Sequence, residues 1–362
     1  MAEAGTAEKR TKREAVSDTA PDLGGLKPEL LKSLLSDMLL YRRFEEKAEE
    51  AYAIGKIGGF CHLHIGQEAA AAGTIGPLRE DDYVITAYRD HTQALAKGIH
   101  PNAVMAELYG RAAGASGGKG GSMHIFGAAQ GFMGGHGIVG QQVALATGFA
   151  WAIKYRKQDR VCICFLGDAA VNQGVFHEAL NMAAIWSLPV IFVVENNAYG
   201  MGTAFTRVST TDMTTKALPY GISTSQVDGQ DVVATYTHFQ DLIDEVRAGG
   251  GPRFVDALTY RFKGHSMSDP VSGTYRSKEE VEGKVEGSDP IRTLADRLTS
   301  AGLLDQAELE EMDAGARQIS QEAVDFAEEA PLPDPKALYE HVYAEINEHG
   351  RLFFDRRDRG EG

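Results

Sequence analysis

Asp168 and the pair Asn196-Asn197 are the residues whose types and spacing most directly suggest chemistry. The apolar run Val161 to Leu166 leads into Gly167-Asp168, a helix-like run follows through Phe176, Ala179, Leu180 and Ala183, and Pro189 introduces a second apolar run, Val190 to Val194. Two continuous apolar runs joined through a helix predict one βαβ unit of a parallel sheet buried on both faces. Asp168 and Asn196-Asn197 then stand at the carboxyl ends of successive strands, where open α/β sheets bind ligands. A carboxylate, an amide oxygen and a nearby backbone carbonyl suit Mg²⁺, which keeps few protein ligands and completes its octahedron with phosphates and water. A helix after Asp168 would aim its first amides at those phosphates, so a diphosphate ligand is implied. Spacing alone leaves open a plainer arrangement, in which Asp168 caps the helix and the Asn pair makes a turn.

The elements that must position these residues are partly legible. From Pro28, apolar residues at Leu31, Leu34, Leu35 and Met38 follow helical spacing. Twelve glycines fall between Gly110 and Gly140, too many for helix or sheet throughout and typical of a functional loop. Gln141 to Tyr155 reads as a helix and Phe254 to Tyr260 as a strand, and beyond Ser277 the chain is helical. Ser288-Asp289-Pro290 starts one helix there, and Leu309, Met312, Ala316 and Ile319 mark the stripe of another. The fold class is α/β, a mostly parallel sheet flanked by helices with helical N- and C-terminal additions.

Composition narrows the partners. A net charge of -15 over 362 residues repels phosphate backbones, and the one basic run, Lys9-Arg10-Lys12-Arg13, is interleaved with Glu8 and Glu14, so nucleic-acid binding is disfavoured. The strongest apolar runs are five or six residues long, far short of a membrane span. Three cysteines in so long a chain fit a reducing compartment, and Cys162 and Cys164 read as core thiols. Met1 to Asp22 carries five acidic and four basic residues, unlike a secretory or organellar leader, which favours a cytoplasmic over a mitochondrial location. Two patterns read as decoys. Gly135-His136-Gly137-Ile138-Val139-Gly140 fits the dinucleotide fingerprint, but the preceding residues show no strand character and no acidic residue ends a strand about 20 positions on, which argues against a nicotinamide site. Cys61-His62-Leu63-His64 lacks zinc-site spacing.

Gly167-Asp168-Ala169, 26 intervening residues and Asn196-Asn197 resemble the thiamine pyrophosphate signature. Around them GGFCHLHIGQEA (58–69), TAYRDH (86–91), GGKGGSMHIF (117–126), GGHGIVGQQV (134–143), NQGVFHEALNMAAIW (172–186), ENNAYGMGT (195–203) and KGHSMSDP (263–270) occur in one order. Together they resemble the thiamine pyrophosphate-dependent 2-oxo acid dehydrogenase family, and within it the α subunits of the pyruvate dehydrogenase first component, over roughly residues 28–345.

The resemblance implies a role for each matching position. Asp168, Asn197 and the backbone carbonyl of Tyr199 correspond to Mg²⁺ ligands, and Ala169 and Ala170 follow on the cofactor side. Arg89 corresponds to a diphosphate-binding arginine beside Tyr88, Gly137 and Val139 to backbone contacts with the aminopyrimidine ring, and His62 and His265 to catalytic histidines, His265 also touching the cofactor. An arginine fork suits phosphate, and a histidine can titrate near neutral pH. The departure is Ala169, where the signature has glycine. A negative φ there makes alanine tolerable and a positive one puts the cofactor site in doubt.

The implied activity is thiamine-dependent oxidative decarboxylation of pyruvate with reductive acetylation of the lipoyl domain of a dihydrolipoyl acetyltransferase. The glutamate that activates the cofactor belongs in this family to a separate β subunit, so the resemblance implies an α₂β₂ heterotetramer. A branched-chain 2-oxo acid or acetoin dehydrogenase subunit, and a silent α-like assembly subunit, are the alternatives. The expected organisation is a flexible tail over 1–26, a thiamine pyrophosphate-binding domain over 27–350 with a helical part from about 277, and a C-terminal tail over 351–362.

Overall fold

In the computed structural model, which describes residues 22–340, the two apolar runs become parallel neighbours at the centre of a six-stranded sheet. The expected C-terminal tail, residues 341–350 of the expected domain and nearly all of the N-terminal tail lie outside the described residues. In chain order the first elements are α1 (Pro28–Ala53), α2 (Glu68–Ile75), β1 (Tyr83–Ala87), α3 (His91–Ala96), α4 (Pro101–Leu108), β2 (Phe132–His136) and α5 (Gln141–Tyr155). There follow β3 (Cys162–Gly167), α6 (Gly174–Ile185), β4 (Val190–Asn196), β5 (Tyr199–Gly200), β6 (Thr203–Ala204), β7 (Ser223–Asp228), α7 (Val232–Glu245) and β8 (Arg253–Leu258). The last are α8 (Lys278–Ser288), α9 (Pro290–Ser300) and α10 (Gln306–Glu329). The sheet runs β2-β1-β3-β4-β8-β7 with every pair parallel, and β5 and β6 form a separate antiparallel hairpin.

Alternate side chains of the central strands feed two cores, which explains why their sequences are apolar without interruption. Ile163, Phe165, Ile191 and Val193 pack into the core that α1 also fills with Leu31, Leu34, Leu35 and Met38. Cys162, Cys164, Leu166, Phe192 and Val194 face the other side, against Val143 and Ala146 of α5 and Phe176 and Leu180 of α6. All three cysteines are free and buried. The C-terminal helices start as expected: Ser277 Oγ accepts from the Glu280 N–H, and Asp289 Oδ1 accepts from the Ile291 N–H. On α10 Ala316 is buried, whereas Ile319 turns outward.

Three strands of the six-stranded sheet escaped the sequence pattern. β7 lies at the sheet edge with only Val227 of its six residues buried, β1 is short, and β2 is nearly half glycine. The presence of β2 corrects the reading of the dinucleotide fingerprint, because a strand does run into Gly137–Gly140 and a helix follows. A nucleotide-binding unit still does not form, since β1 intervenes between β2 and β3. The helix after Asp168 also differs from expectation. A short 3₁₀ turn spans Asp168–Asn172, Gln173 is extended, and α6 begins only at Gly174.

Candidate active site

The order of the sheet reverses between β1 and β3: the chain passes from β1 outward to β2, then returns across β1 to β3 and continues through β4 the other way. Such a switch point leaves a crevice at the carboxyl ends of the two strands. Here it holds a cavity of about 250 Å³ lined by Tyr88 and Arg89 after β1, Val139 and Gly140 after β2, and Asp168, Ala169 and Ala170 after β3. Asn197, Tyr199, Arg261 and His265 complete its wall. Of the residues singled out from sequence, Gly137, Asn196 and His62 do not line the cavity. His62 stands behind it, its ring 4.6 Å from that of Tyr88 and 5.2 Å from that of His265.

Asp168 is 2% exposed. Its Oδ1 accepts from the Ala169 N–H at 2.9 Å, while Oδ2 is buried without a partner. Burial pushes its carboxyl up to about 6, the mark of a charge that lacks compensation. The plainer reading of Asp168 as a helix cap does not hold, because α6 starts six residues later. The two asparagines divide the work. Asn196 is structural, with Nδ2 donating to Asp256 and Oδ1 accepting from the Ala198 N–H. Asn197 donates through Nδ2 to Gln67 Oε1, which leaves Oδ1 with one long bond, 3.3 Å from the Tyr199 N–H.

Ala169 does not have a positive φ, so alanine meets no backbone strain at that position. Its methyl group packs on the β5 turn. A Cβ on Gly200 would lie 2.5 Å from the Cβ of Ala169, so glycine at 200 is what makes room for alanine at 169. The turn also carries two non-glycine residues with positive φ, Ala198 at 66° and Met201 at 54°, a strain common at ligand sites.

The cavity is rich in buried cations. Arg89 donates through both terminal nitrogens to backbone carbonyls, of Leu63 and of His265, the latter at 2.8 Å. Arg261 donates to the carbonyl of Lys263 and the hydroxyl of Tyr275. Burial, then the neighbouring guanidiniums, lower His265 to about 4 and His62 to about 2. Both histidines are therefore neutral at pH 7, which corrects the expectation that they titrate near neutrality.

The segment 263–276 also differs from its sequence, which offers few apparent anchors. Arg276 donates to the carbonyls of Arg261, Lys263 and Val271, the Met267 N–H donates to the Cys61 carbonyl, and Asp269 accepts from the Ser266 N–H and Oγ. Ser266 is buried. Sequence reading also missed Gln67, Gln142, Glu195, Met201 and Arg261 on the cavity wall. Glu195 Oε1 is held by His64 and Gln93 at 2.7 and 2.9 Å. Gln67 and Glu195 lie inside the quoted motifs and could have been found there, whereas Arg261 sits beyond a strand with no pattern around it.

Fold and site together define an α/β protein whose sheet switch point carries a cavity lined by two buried arginines and by a buried aspartate with an unpartnered oxygen. The chain belongs to the dehydrogenase E1 component family, which matches it over residues 36–336. It is 47% identical to the pyruvate dehydrogenase E1 component subunit alpha of Rhizobium meliloti over 93% of this chain and 96% of that one. The subunit of the same name from Zymomonas mobilis is 49% identical over 84% of this chain and 86% of its own, and a mitochondrial one from Solanum tuberosum is 43% identical over 87% and 80%.

Proposed function

We propose that this chain is the α subunit of a pyruvate dehydrogenase E1 component, binding thiamine pyrophosphate and Mg²⁺ in the switch-point cavity. The observation that carries the reading is the buried, unpartnered Oδ2 of Asp168, a residue on the wall of a cavity that also holds two buried arginines. The donor set fits both groups. A bare carboxylate oxygen, the Asn197 amide oxygen and the Tyr199 carbonyl are hard ligands of the kind Mg²⁺ takes, and guanidinium forks suit a diphosphate. When bound, thiamine pyrophosphate supplies the carbon nucleophile and the electron sink that decarboxylation of a 2-oxo acid requires.

This chain's residues do the rest. Asp168 and Asn197 hold the metal, Arg89 and the amides of the 3₁₀ turn face the diphosphate, and Val139 bounds the ring-binding side. His265, kept neutral, presents an N–H donor and a lone pair where the substrate's oxygen atoms develop charge, and His62, also neutral, backs it with its ring 5.2 Å away. Arg89 ties His265 in place through its carbonyl.

A β partner is supported by the surface. Trp151 and Tyr155 of α5, with Met182 and Ile185 of α6 and the adjoining Trp186, are exposed large apolar residues on one helix pair, and Ile138, next in the chain to the cavity-lining Val139, is 69% exposed. Surfaces of this kind mark protein interfaces. Among the described residues no helix is long and apolar enough to cross a membrane. The 2-oxo acid preference and the lipoyl acceptor rest on the likeness to the pyruvate dehydrogenase subunits. A panel of 2-oxo acids on the coexpressed α and β chains tests them, reading carbon dioxide release with an artificial electron acceptor. Preference for pyruvate is expected, together with no turnover by the α chain alone. Preference for branched substrates, or no metal-dependent thiamine pyrophosphate binding, rejects the reading.

A further inference from the structure

Residues 61–65, between α1 and α2, are all buried and belong to no helix or strand. A buried segment without a sheet partner must find its hydrogen bonds elsewhere. The carbonyl of Cys61 accepts from the Met267 N–H at 2.9 Å, that of Leu63 from Arg89, and that of Ile65 from the Phe262 N–H at 3.0 Å. The two amides between them go to side chains. His62 N–H donates to Ser122 Oγ at 3.2 Å, and His64 N–H donates to Glu45 Oε1 at 2.9 Å.

His91 joins those two acceptors. Its Nδ1 lies 2.9 Å from Glu45 Oε2, and its Nε2 lies 2.8 Å from Ser122 Oγ and 3.1 Å from the Ser122 carbonyl. A carboxylate and a carbonyl only accept, so both ring nitrogens are donors in this arrangement. Burial works against a charged ring and the Glu45 carboxylate more than offsets it, so the pKa of His91 is raised. Glu45 stands on α1, His91 opens α3, and Ser122 lies in a 3₁₀ turn of the glycine-rich stretch, so three elements meet at one buried chain of groups. Acid, histidine and serine in this order have the geometry of a nucleophilic triad. None of the three lines the cavity, however, and Ser122 Oγ already accepts from a backbone amide and from His91. The chain is built to hold and not to attack.

What it holds are two histidines that support the cavity wall. The ring of His62 lies 5.2 Å from that of His265, and His64 Nε2 lies 2.7 Å from Oε1 of Glu195, with His265 and Glu195 both on the wall. We infer that Glu45, His91 and Ser122 are positioning residues of the active site, a buried clamp on the His62 and His64 amides that sets how the two rings back His265 and Glu195. The assignment rests on the 2-oxo acid dehydrogenase reading above. The proposed metal and diphosphate contacts belong to other residues, Asp168, Asn197 and Arg89, so the clamp bears on turnover and not on cofactor affinity.

The test is a kinetic cycle on the full-length chain in its α/β assembly, with pyruvate and an artificial electron acceptor, and with calorimetric thiamine pyrophosphate affinity at saturating Mg²⁺ as a second reading. Ser122→Ala removes the acceptor of the His62 amide. It is expected to lower kcat roughly tenfold, as a small misplacement near the reacting groups does, while cofactor affinity and the KM for pyruvate stay within about threefold of wild type. In a His62→Ala background the same substitution should cost less than about twofold, because the ring it positions is gone. A residue that served stability alone would lower kcat equally in both backgrounds. His91→Asn, which keeps a donor for Glu45 and gives up Ser122, carries the same cycle if Ser122→Ala does not assemble. Wild-type kcat in the clamp variants, equal losses with and without His62, or cofactor affinity falling as far as kcat overturns the assignment and leaves the functional reading standing. A wild-type assembly that turns over no 2-oxo acid overturns both.

Discussion

The glycine-rich stretch from Gly110 to Gly140 contains two regions of like composition and opposite purpose. In the first, the chain closes around the buried carboxylate of Glu107 on α4. The N–H groups of Ser116 and Gly118 donate to Oε2 at 2.7 and 2.8 Å, and those of Gly120 and Gly121 to Oε1 at 2.6 and 3.1 Å. In the second, Gly140 adopts a φ of +85° to turn β2 into α5, and the segment ends with Val139 and Gly140 on the cavity wall. The cavity leaves Asp168 Oδ2, Gln67 Nε2 and Gln142 Oε1 without partners. A nest of amides that already contains its anion is architecture, whereas buried polar atoms left without partners beside buried cations are what a ligand can satisfy. Glycine content alone marks close backbone approach and does not say to what.

The largest effect that tests this contrast is expected from Glu107→Ala. Four amides lose their acceptor at once, and at about 1 kcal/mol or more for each the chain should lose about 4 kcal/mol of stability in urea unfolding. A loss below about 1 kcal/mol would mean that the nest is solvated and the contrast false. Asp168→Ala should behave in the opposite way. Metal-dependent thiamine pyrophosphate affinity should fall at least ~100-fold, as for lost metal ligation, while the unfolding free energy holds or rises. The sign follows from the raised carboxyl: the native state binds the proton more tightly than the unfolded chain, so the wild-type carboxylate withdraws stability as pH rises from 3.8 to about 6. Unchanged affinity at saturating Mg²⁺ would remove Asp168 from the metal site.

Much of this contrast was legible before the fold. Asp168 and Asn197 announced themselves because uninterrupted apolar strands end on them, and strand ends are where parallel sheets bind ligands. Glu107 left no trace, since a carboxylate held only by backbone amides has no side-chain partner in the sequence. β7 was hidden for a related reason: an edge strand reading STSQVD owes its place to pairing with β8 and not to apolar burial. The anchoring of 263–276 was equally invisible, because Arg276 acts on carbonyl groups, which every residue has.

A smaller effect is expected at Ala169, where the sequence departs from the signature. Gly200→Ala places two methyl groups 2.5 Å apart and must displace the turn that presents the Tyr199 carbonyl. Mg²⁺-dependent binding should weaken roughly tenfold, in the range of a modest overpacking penalty. Ala169→Gly in the same chain should restore it, as coupled neighbours do. Equal losses in the single and double variants would show that the two positions are independent.

The smallest effect concerns His265 and reads the cavity's cations through a neighbouring group. Burial comes first and Arg89 and Arg261 next in lowering this histidine to about 4, with Asp269 opposing them. Between its ordinary value of 6.5 and about 4, the unfolded chain takes up a proton that the native state refuses, so stability falls as pH drops through that window. His62 acts in the same direction and Asp168 in the opposite one below about 6, so the wild-type slope alone is a mixture. The difference between wild type and His265→Gln isolates the term: the variant's unfolding free energy should fall less steeply between pH 6.5 and 4.5. Inorganic pyrophosphate sharpens the comparison. An anion beside the arginines offsets their push on His265, so pyrophosphate should make the wild type less acid-sensitive and leave the slope of the variant nearly unchanged. Identical slopes in both proteins, with and without the anion, would show that His265 is solvated and unaffected by the cavity, and would exclude it from the site.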